Sequence, residues 1–391
     1  MISESEARQK ILDSVRPLPA RKMSILDALD HFAAEDYRAR LPLPMFDNSA
    51  MDGYAVIARD CKIGARVRVI GEQPAGVDRK LHISSGTAVR IFTGAPMPAG
   101  ADAVVMQEDI ARDRDEVVVN TDVEAGEFVR RRGCDLAEGQ KILRRGDRVS
   151  ETKLALLASQ GFREISVGAE VRAAIVSTGD ELAPPGENLQ PGQIYDSNSV
   201  LLQLLMQRCG GTVAMSRRCS DNATSLKKEF QAAAKNEIMV VTGGVSVGEH
   251  DLVQSTLREM GAKIEVWCVA IKPGKPFLFG SLGRCLVFGL PGNPVSAFVT
   301  FLQFVRPAIL AMMGANDVDL PKLSAQLATN ESNESERPHY VRGKFENGAF
   351  TSIGRQESHA LYGLSESNAL LRVETGQTLK AGQTVSIQVW R

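Results

Sequence analysis

The sequence predicts a multidomain α/β protein, with a central α/β domain built on a parallel sheet, an inserted small β domain before it and a β-barrel-like domain after it. Three observations carry this reading. Between residues 169 and 316, short apolar runs alternate with segments of helical period, and glycine turns separate them. Successive βα units of that kind imply a parallel sheet covered on both faces. From 45 to 128, and again from 317 to 391, the apolar runs are strand-length and are punctuated by Gly, Pro and Asn-Gly turns. The length, 391 residues, leaves room for more than one core.

Charge and cysteine usage exclude several classes of function. Forty-six basic and 47 acidic residues give a formal charge of −1, which argues against non-specific nucleic-acid binding. No stretch of eighteen consecutive apolar residues occurs and the first residues carry no signal-peptide core, so no membrane contact is expected and a cytoplasmic protein is. Cysteines stand singly at 61, 134, 209, 219, 268 and 285, with no C-x-x-C spacing for zinc or for a disulfide framework. Single cysteines suit a reducing compartment.

Taken in order, Ser3 and Glu6 form a capping-box pattern ahead of a helix over 4–15, with Ala7, Ile11, Leu12 and Val15 on one stripe. A second short helix is expected across Ile25–Phe32. The prolines of Leu41-Pro-Leu-Pro44 make an extended, stiff crossing into another module. That module, 45–128, has β-like runs at Val67–Ile70, Ala88–Phe92, Ala103–Met106 and Glu116–Val119. Asp52-Gly53 near its start reads as a turn or as part of a site. Arg90-Ile-Phe-Thr-Gly-Ala-Pro-Met-Pro98 ends a strand in a glycine turn and puts Thr93 at its lip. Arg130-Arg-Arg-Gly-Cys-Asp135 is either a solvated charged face or an anion contact. A helix over 152–160, stopped by Gly161, returns the chain to the first module. Segments 1–44 and 129–168 then make a discontinuous helical, linker-like module, with 45–128 inserted into it.

In the 169–316 domain, strands are expected at Val171–Ser177, Thr212–Ser216, Ile238–Val241, 264–270 and Cys285–Leu290. Helices are expected over Val200–Arg208, after Asp221, after Asp251, and from Pro294 to about 313. The stretch Ile238-Met-Val-Val-Thr-Gly-Gly-Val-Ser-Val-Gly-Glu-His-Asp251 is the centre of this domain. Its glycines, Gly243, Gly244 and Gly248, let backbone approach an anion, and a helix start presents N–H groups to it. It is not a Walker A loop, because Glu249-His250 stands where Lys-Ser/Thr is required. Ile271-Lys-Pro-Gly-Lys-Pro276 and Leu290-Pro-Gly-Asn-Pro-Val-Ser296 add two more Pro/Gly turns, the first with Lys272 and Lys275. A basic, backbone-rich pocket of this kind suits an oxyanion. In open sheets ligands sit at the carboxyl ends of strands, where Glu181, Ser246, Asp251 and the 291–296 turn all fall. Each has a plainer alternative. Asp251 and Pro294 are residues that helix starts favour, Glu181 and Asp221 could be solvated carboxylates, and His250 and His359 read as polar surface groups.

Five stretches carry a family resemblance. Asp47-Asn-Ser-Ala-Met-Asp-Gly-Tyr-Ala-Val56, Phe92-Thr-Gly-Ala-Pro96, Ser177-Thr-Gly-Asp-Glu-Leu182, Thr242-Gly-Gly-Val-Ser-Val-Gly248 and Leu290-Pro-Gly-Asn-Pro-Val-Ser296 resemble, in order and over essentially the whole chain, the molybdopterin molybdotransferases of the bacterial MoeA family, which includes the gephyrin E-domain. The resemblance implies a molybdopterin-binding central domain and an elongated homodimer with each cleft lined by both subunits. It implies insertion of molybdate into adenylated molybdopterin, with Mg²⁺-dependent hydrolysis of the adenylate and release of AMP. Contact with other cofactor-biosynthesis proteins is also implied.

Carried over residue by residue, the resemblance makes Asp52, Glu181, Asp251, Lys272 and Lys275 catalytic, with Glu181 and Asp251 holding Mg²⁺. Thr93, Asp135, Asp221, Gly243, Gly244, Ser246, Gly248, Pro291, Gly292, Pro294, Ser296, Arg342 and Ser358 would bind substrate. Of these, Asp52, Thr93 and Asp135 would face the partner's cleft. Cys268 departs from the family, which often has a basic residue there, and puts one anion contact in question. A molybdopterin-binding scaffold, or an adenylate-binding relative that inserts no metal, remains as the alternative.

Overall fold

The computed structural model describes residues 1–245 and 251–390, so Ser246, Gly248 and His250 lie outside the described residues. The chain forms two compact units: Met1–Glu35 with Arg145–Ser150 and Glu164–Arg391, and Asp36–Arg144 with Glu151–Arg163.

The first unit begins with α1 (Glu4–Ser14), whose N-cap Ser3 Oγ accepts the Glu6 N–H at 3.1 Å. Ala7 and Ile11 bury its apolar stripe in the main core. The helix expected over Ile25–Phe32 is absent. Arg21–Ser24 instead pairs antiparallel with Glu164–Val167, and turns follow. Backbone partners outside the segment win there: Asp30 N–H donates to Val149 O at 2.9 Å and Val149 N–H to His31 O at 2.9 Å. Asp30 has a φ of 65°, which no right-handed helix accepts. Leu26 and Leu29, within that segment, are exposed.

The second unit is a six-stranded sheet of β1 (Gly53–Val56), β2 (Arg66–Gln73), β3 (Thr87–Ile91), β4 (Ala103–Met106), β5 (Ile110–Asp113) and β6 (Glu116–Val119), in the order β4-β1-β3-β2-β6-β5. Tyr54, Val56, Val67, Ala88, Val105 and Val117 fill one face. Gly53 is required by the pairing, since a Cβ there would sit on the Val105 carbonyl. Tyr37–Arg38 pairs with Lys141–Leu143, and α2 (Glu151–Ser159) ends before Gly161, which takes a φ of 77°. The module expected to be helical therefore holds only α1 and α2 among the described residues; short antiparallel pairs supply the rest.

The centre of the first unit is a six-stranded sheet. Its elements are β7 (Arg172–Thr178), α3 (Ser197–Arg208), β8 (Thr212–Cys219), α4 (Ala223–Ala233), β9 (Ile238–Thr242), α5 (Leu252–Glu259), β10 (Lys263–Trp267), β11 (Leu278–Leu282) and β12 (Cys285–Leu290). The strand order is β8-β7-β9-β12-β11-β10. The first four strands are parallel, as expected. The last two join through antiparallel pairings, so β11 alone runs against the other five, and it is a strand the sequence reading lacks. A parallel crossover needs about a dozen residues or more, usually with a helix. Residues 268–277 carry none, and β11 turns into β12 through Gly283 at a φ of 62°.

After β12 come α6 (Pro294–Thr300), a π-helical stretch Phe301–Val305 and α7 (Arg306–Met312). Pro294–Met312 is, among the described residues, the one helix long and apolar enough to cross a membrane, and most of it is buried inside the protein. The chain ends in a closed barrel of β13 (Lys322–Leu327), β14 (His339–Glu346), β15 (Ala349–Ser352), β16 (Ala369–Val373) and β17 (Thr384–Val389), ordered β13-β15-β14-β16-β17. All six cysteines are free, and burial pushes the Cys61 and Cys209 thiols up to about 11 and Cys285 to about 12.

Candidate active site

The parallel strands β7, β9 and β12 end together, at Thr178, Thr242 and Leu290, and the turns beyond them line a crevice of about 630 Å³. Two glycine turns meet there. Gly243, at a φ of 85°, passes so close to strand β7 that a Cβ would strike the Thr178 carbonyl. A Cβ on Gly292 would come to 3.7 Å from the Gly243 Cα. Asn198, in the first turn of α3, ties the two turns together: Nδ2 donates to Thr242 Oγ1 at 3.0 Å and to Gly292 O at 2.7 Å. Its buried Oδ1 has no hydrogen-bond partner among the described residues. Asp196 caps the same helix through Ser199 N at 2.9 Å and accepts the Ser177 hydroxyl at 2.6 Å.

Of the residues singled out in the sequence, Glu181, Gly243, Pro291, Gly292 and Pro294 line this crevice. Thr178, Asp196, Asn198, Thr242 and Asn293 line it too and were not singled out. The signal for Asn198 was its position just after a helix cap, in Tyr195-Asp-Ser-Asn198. His359, from the barrel's side, completes the wall.

The carboxylates take different positions. Glu181 is exposed in the turn after β7. Asp221, also exposed, accepts the Thr178 hydroxyl, and its N–H donates to Asp180 Oδ1 at 3.2 Å. Asp251 is buried and caps α5, Oδ1 accepting the Gln254 N–H at 2.7 Å. Exposed carboxylates on neighbouring turns are the donor type a hydrated divalent cation prefers, so Glu181 and Asp221 fit Mg²⁺ in chemistry. Asp251 commits one oxygen to its helix. Among the described residues no three His, Cys, Asp or Glu side chains gather into a metal cage.

Lys272 is fixed by its backbone rather than its amine: its N–H donates to Pro338 O and its carbonyl accepts the Tyr340 N–H, both at 2.8 Å. Lys275 is exposed in the same segment. Arg342 is fully buried, not the open cation expected from its motif. Its guanidinium donates to the Arg355 carbonyl and to Glu357 O at 3.3 Å, and burial lowers its pKa. It thereby ties down the segment carrying Ser358, whose hydroxyl accepts Asn293 Nδ2 at 2.8 Å and whose carbonyl accepts Val295 N–H at 3.1 Å. Ser296 is buried inside α6. Gly244 adjoins Asp221, whose Oδ1 lies 3.8 Å from where its Cβ would be.

In the second unit, Asp52 Oδ1 accepts both the Thr93 N–H at 2.7 Å and the Thr93 hydroxyl at 2.8 Å. Those two bonds, with a smaller contribution from the Arg90 charge, hold the carboxyl below the usual range. Asp135 is exposed, and its N–H donates to Leu43 O at 3.0 Å.

Comparisons with known proteins agree along the chain. Residues 2–161 match the MoeA N-terminal region (domain I and II), 174–311 a probable molybdopterin binding domain, and 324–390 the MoeA C-terminal region (domain IV). A molybdopterin molybdenumtransferase of Haemophilus influenzae is 37 % identical over 99 % of this chain and 98 % of its own. Molybdopterin molybdenumtransferase 2 of Mycobacterium tuberculosis is 34 % identical over 100 % and 99 %. The solved molybdopterin biosynthesis MoeA protein of Pyrococcus horikoshii superposes over the full length of both chains, with a TM-score of 0.88 and 28 % identity. The chain belongs to the MoeA family of molybdopterin molybdenumtransferases.

Proposed function

We propose that this protein inserts molybdate into adenylated molybdopterin, with hydrolysis of the adenylate and release of AMP. The observation that carries it is the crevice where β7, β9 and β12 end, formed by crossing Gly243 and Gly292 turns in a chain that matches molybdenumtransferases from end to end. Glycine turns let a large anionic ligand lie against backbone N–H groups, and neutral side chains such as Asn198 and Thr242 orient it. Lys272 and Lys275 bring positive charge to compensate the oxyanions. Glu181, Asp221 and Asp251, whose Oδ1 also caps α5, are the residues that would hold Mg²⁺, which when bound would polarise the phosphoanhydride. We further propose a homodimer in which Asp52, Thr93 and Asp135 serve the partner's cleft. The single, unpaired cysteines support a reducing, cytoplasmic setting for this reaction. A scaffold that binds molybdopterin without chemistry is the competing reading.

AMP release is the discriminating measurement. The wild type should release AMP from adenylated molybdopterin only when molybdate and Mg²⁺ are both present. Asp251→Asn separates the two roles of that residue, because Asn caps a helix as well as Asp does but carries no charge. We expect unchanged thermal stability and at least about a tenfold loss of rate, the scale of one lost charged contact. Molybdate-independent AMP release, or full activity in Asp251→Asn, overturns this assignment.

A further inference from the structure

We propose that Arg90 is an anion-recognition residue of the second unit, receiving an oxyanion of the substrate beside Asp52. The inference rests on the reading that Asp52 and Thr93 serve the reaction.

Three neighbouring strands bring the relevant residues to one end of the sheet. Asp52 immediately precedes β1, Phe92 and Thr93 follow β3, and Gln107 follows β4, its N–H donating to Asp52 O at 3.2 Å. Tyr54 stands opposite Arg90 across β1 and β3. Phe92, two residues on, shares that face. The Arg90 guanidinium lies 4.9 Å from the Tyr54 ring centroid and 5.4 Å from that of Phe92, and donates to Gln107 Oε1 at 2.6 Å. Two rings and an amide therefore hold a half-buried cation in one orientation. Its ordering cost is met before any ligand arrives.

What this cation lacks is an acid. Among the described residues no carboxylate forms an ion pair with it, and the bond to Gln107 uses one of its five N–H groups. The arginines of the same sheet that serve as surface ion-pair partners look different: Arg66 contacts both Asp113 and Glu116. Asp52 is near enough for Arg90 to lower its pKa, yet its Oδ1 is turned to Thr93. An ionised Asp52 alone would repel an anionic substrate. A fixed guanidinium with unused donors next to it offsets that repulsion and offers the fork geometry oxyanions accept. The anion is either a phosphoryl group of the adenylated pterin or molybdate, and kinetics distinguish them.

The test uses full-length protein and AMP release, varying each substrate with the other saturating, for Arg90→Met, Arg90→Lys and Asp52→Asn, with thermal unfolding alongside. We expect Arg90→Met to raise KM for one substrate by ~10-fold or more, the effect of losing a charge-assisted contact. Its kcat should stay within about twofold and its melting temperature should not change. Arg90→Lys should recover part of the loss, since it keeps charge and loses the fork. The substrate whose KM moves supplies the anion. Unchanged KM for both substrates, or a fall confined to kcat or melting temperature, overturns the inference. If Asp52→Asn is inactive while Arg90→Met shows wild-type KM values, Arg90 alone is wrongly assigned; if Asp52→Asn is fully active, the underlying reading of Asp52 has failed.

Discussion

His339 shows how much a single residue's surroundings decide. It lies on β14 beside Lys272, and its buried Nε2 has no hydrogen-bond partner among the described residues. Burial, then the charges of Lys272, Arg342 and Arg337, lower its pKa from 6.5 to about 4. The unfolded chain therefore takes up a proton at a higher pH than the folded one. The stabilising contribution is complete above pH 6.5 and is lost as pH falls toward 4, amounting to up to ~3 kcal/mol. His339→Leu should remove that slope, and unfolding free energies measured from pH 7 to 4 would reveal it; parallel curves for the two proteins would contradict it. Nothing in Pro338-His-Tyr340 announces a buried histidine, because burial there comes from a neighbouring turn distant in sequence. Cys268 is the same lesson from the other side. The sequence left open whether it was a missing cation site or a small apolar residue. It is buried, and that burial pushes its thiol up, which suits a small apolar side chain rather than a charged lysine. The glycines were legible because backbone geometry needs them; Asn198 was not, because its two partners lie in other turns.

At the scale of elements, periodicity identified what packing then enforced. The buried runs of β7, β9 and β12 and the capped α1 follow the sequence closely, since a continuous apolar run or a Ser-x-x-Glu start has few other outcomes. The errors fall where long-range backbone pairing competes with local preference, as at Ile25–Phe32, or where a strand contains small residues, as in Leu278-Phe-Gly-Ser-Leu282. The crevice turns depend on one such long-range link. Asn198→Ala would leave Gly292 O and Thr242 Oγ1 without their donor in a buried setting, at a cost of about 1–3 kcal/mol. We expect a lower urea midpoint with an unchanged slope, together with weaker use of adenylated molybdopterin. A midpoint equal to the wild type's would mean that the two turns hold each other without Asn198.

For the whole molecule, the division into two units gives the proposed dimer a genetic test. Asp52 belongs to the unit built on β1–β6, whereas Asp251 belongs to the unit built on the central sheet. If each cleft takes Asp52 from one subunit and Asp251 from the other, Asp52→Ala and Asp251→Ala homodimers each carry two defective clefts. A heterodimer of the two variants then has one cleft with both defects and one with neither. Differently tagged chains, co-expressed and purified through both tags, should recover about half of the wild-type rate of AMP release, one working site in two. Were both carboxylates drawn from the same subunit, every cleft of the heterodimer would carry one defect and its rate would stay at the level of the single variants. Light scattering on the same preparation establishes that heterodimers are present, so a dead mixture counts against the shared cleft and not against assembly.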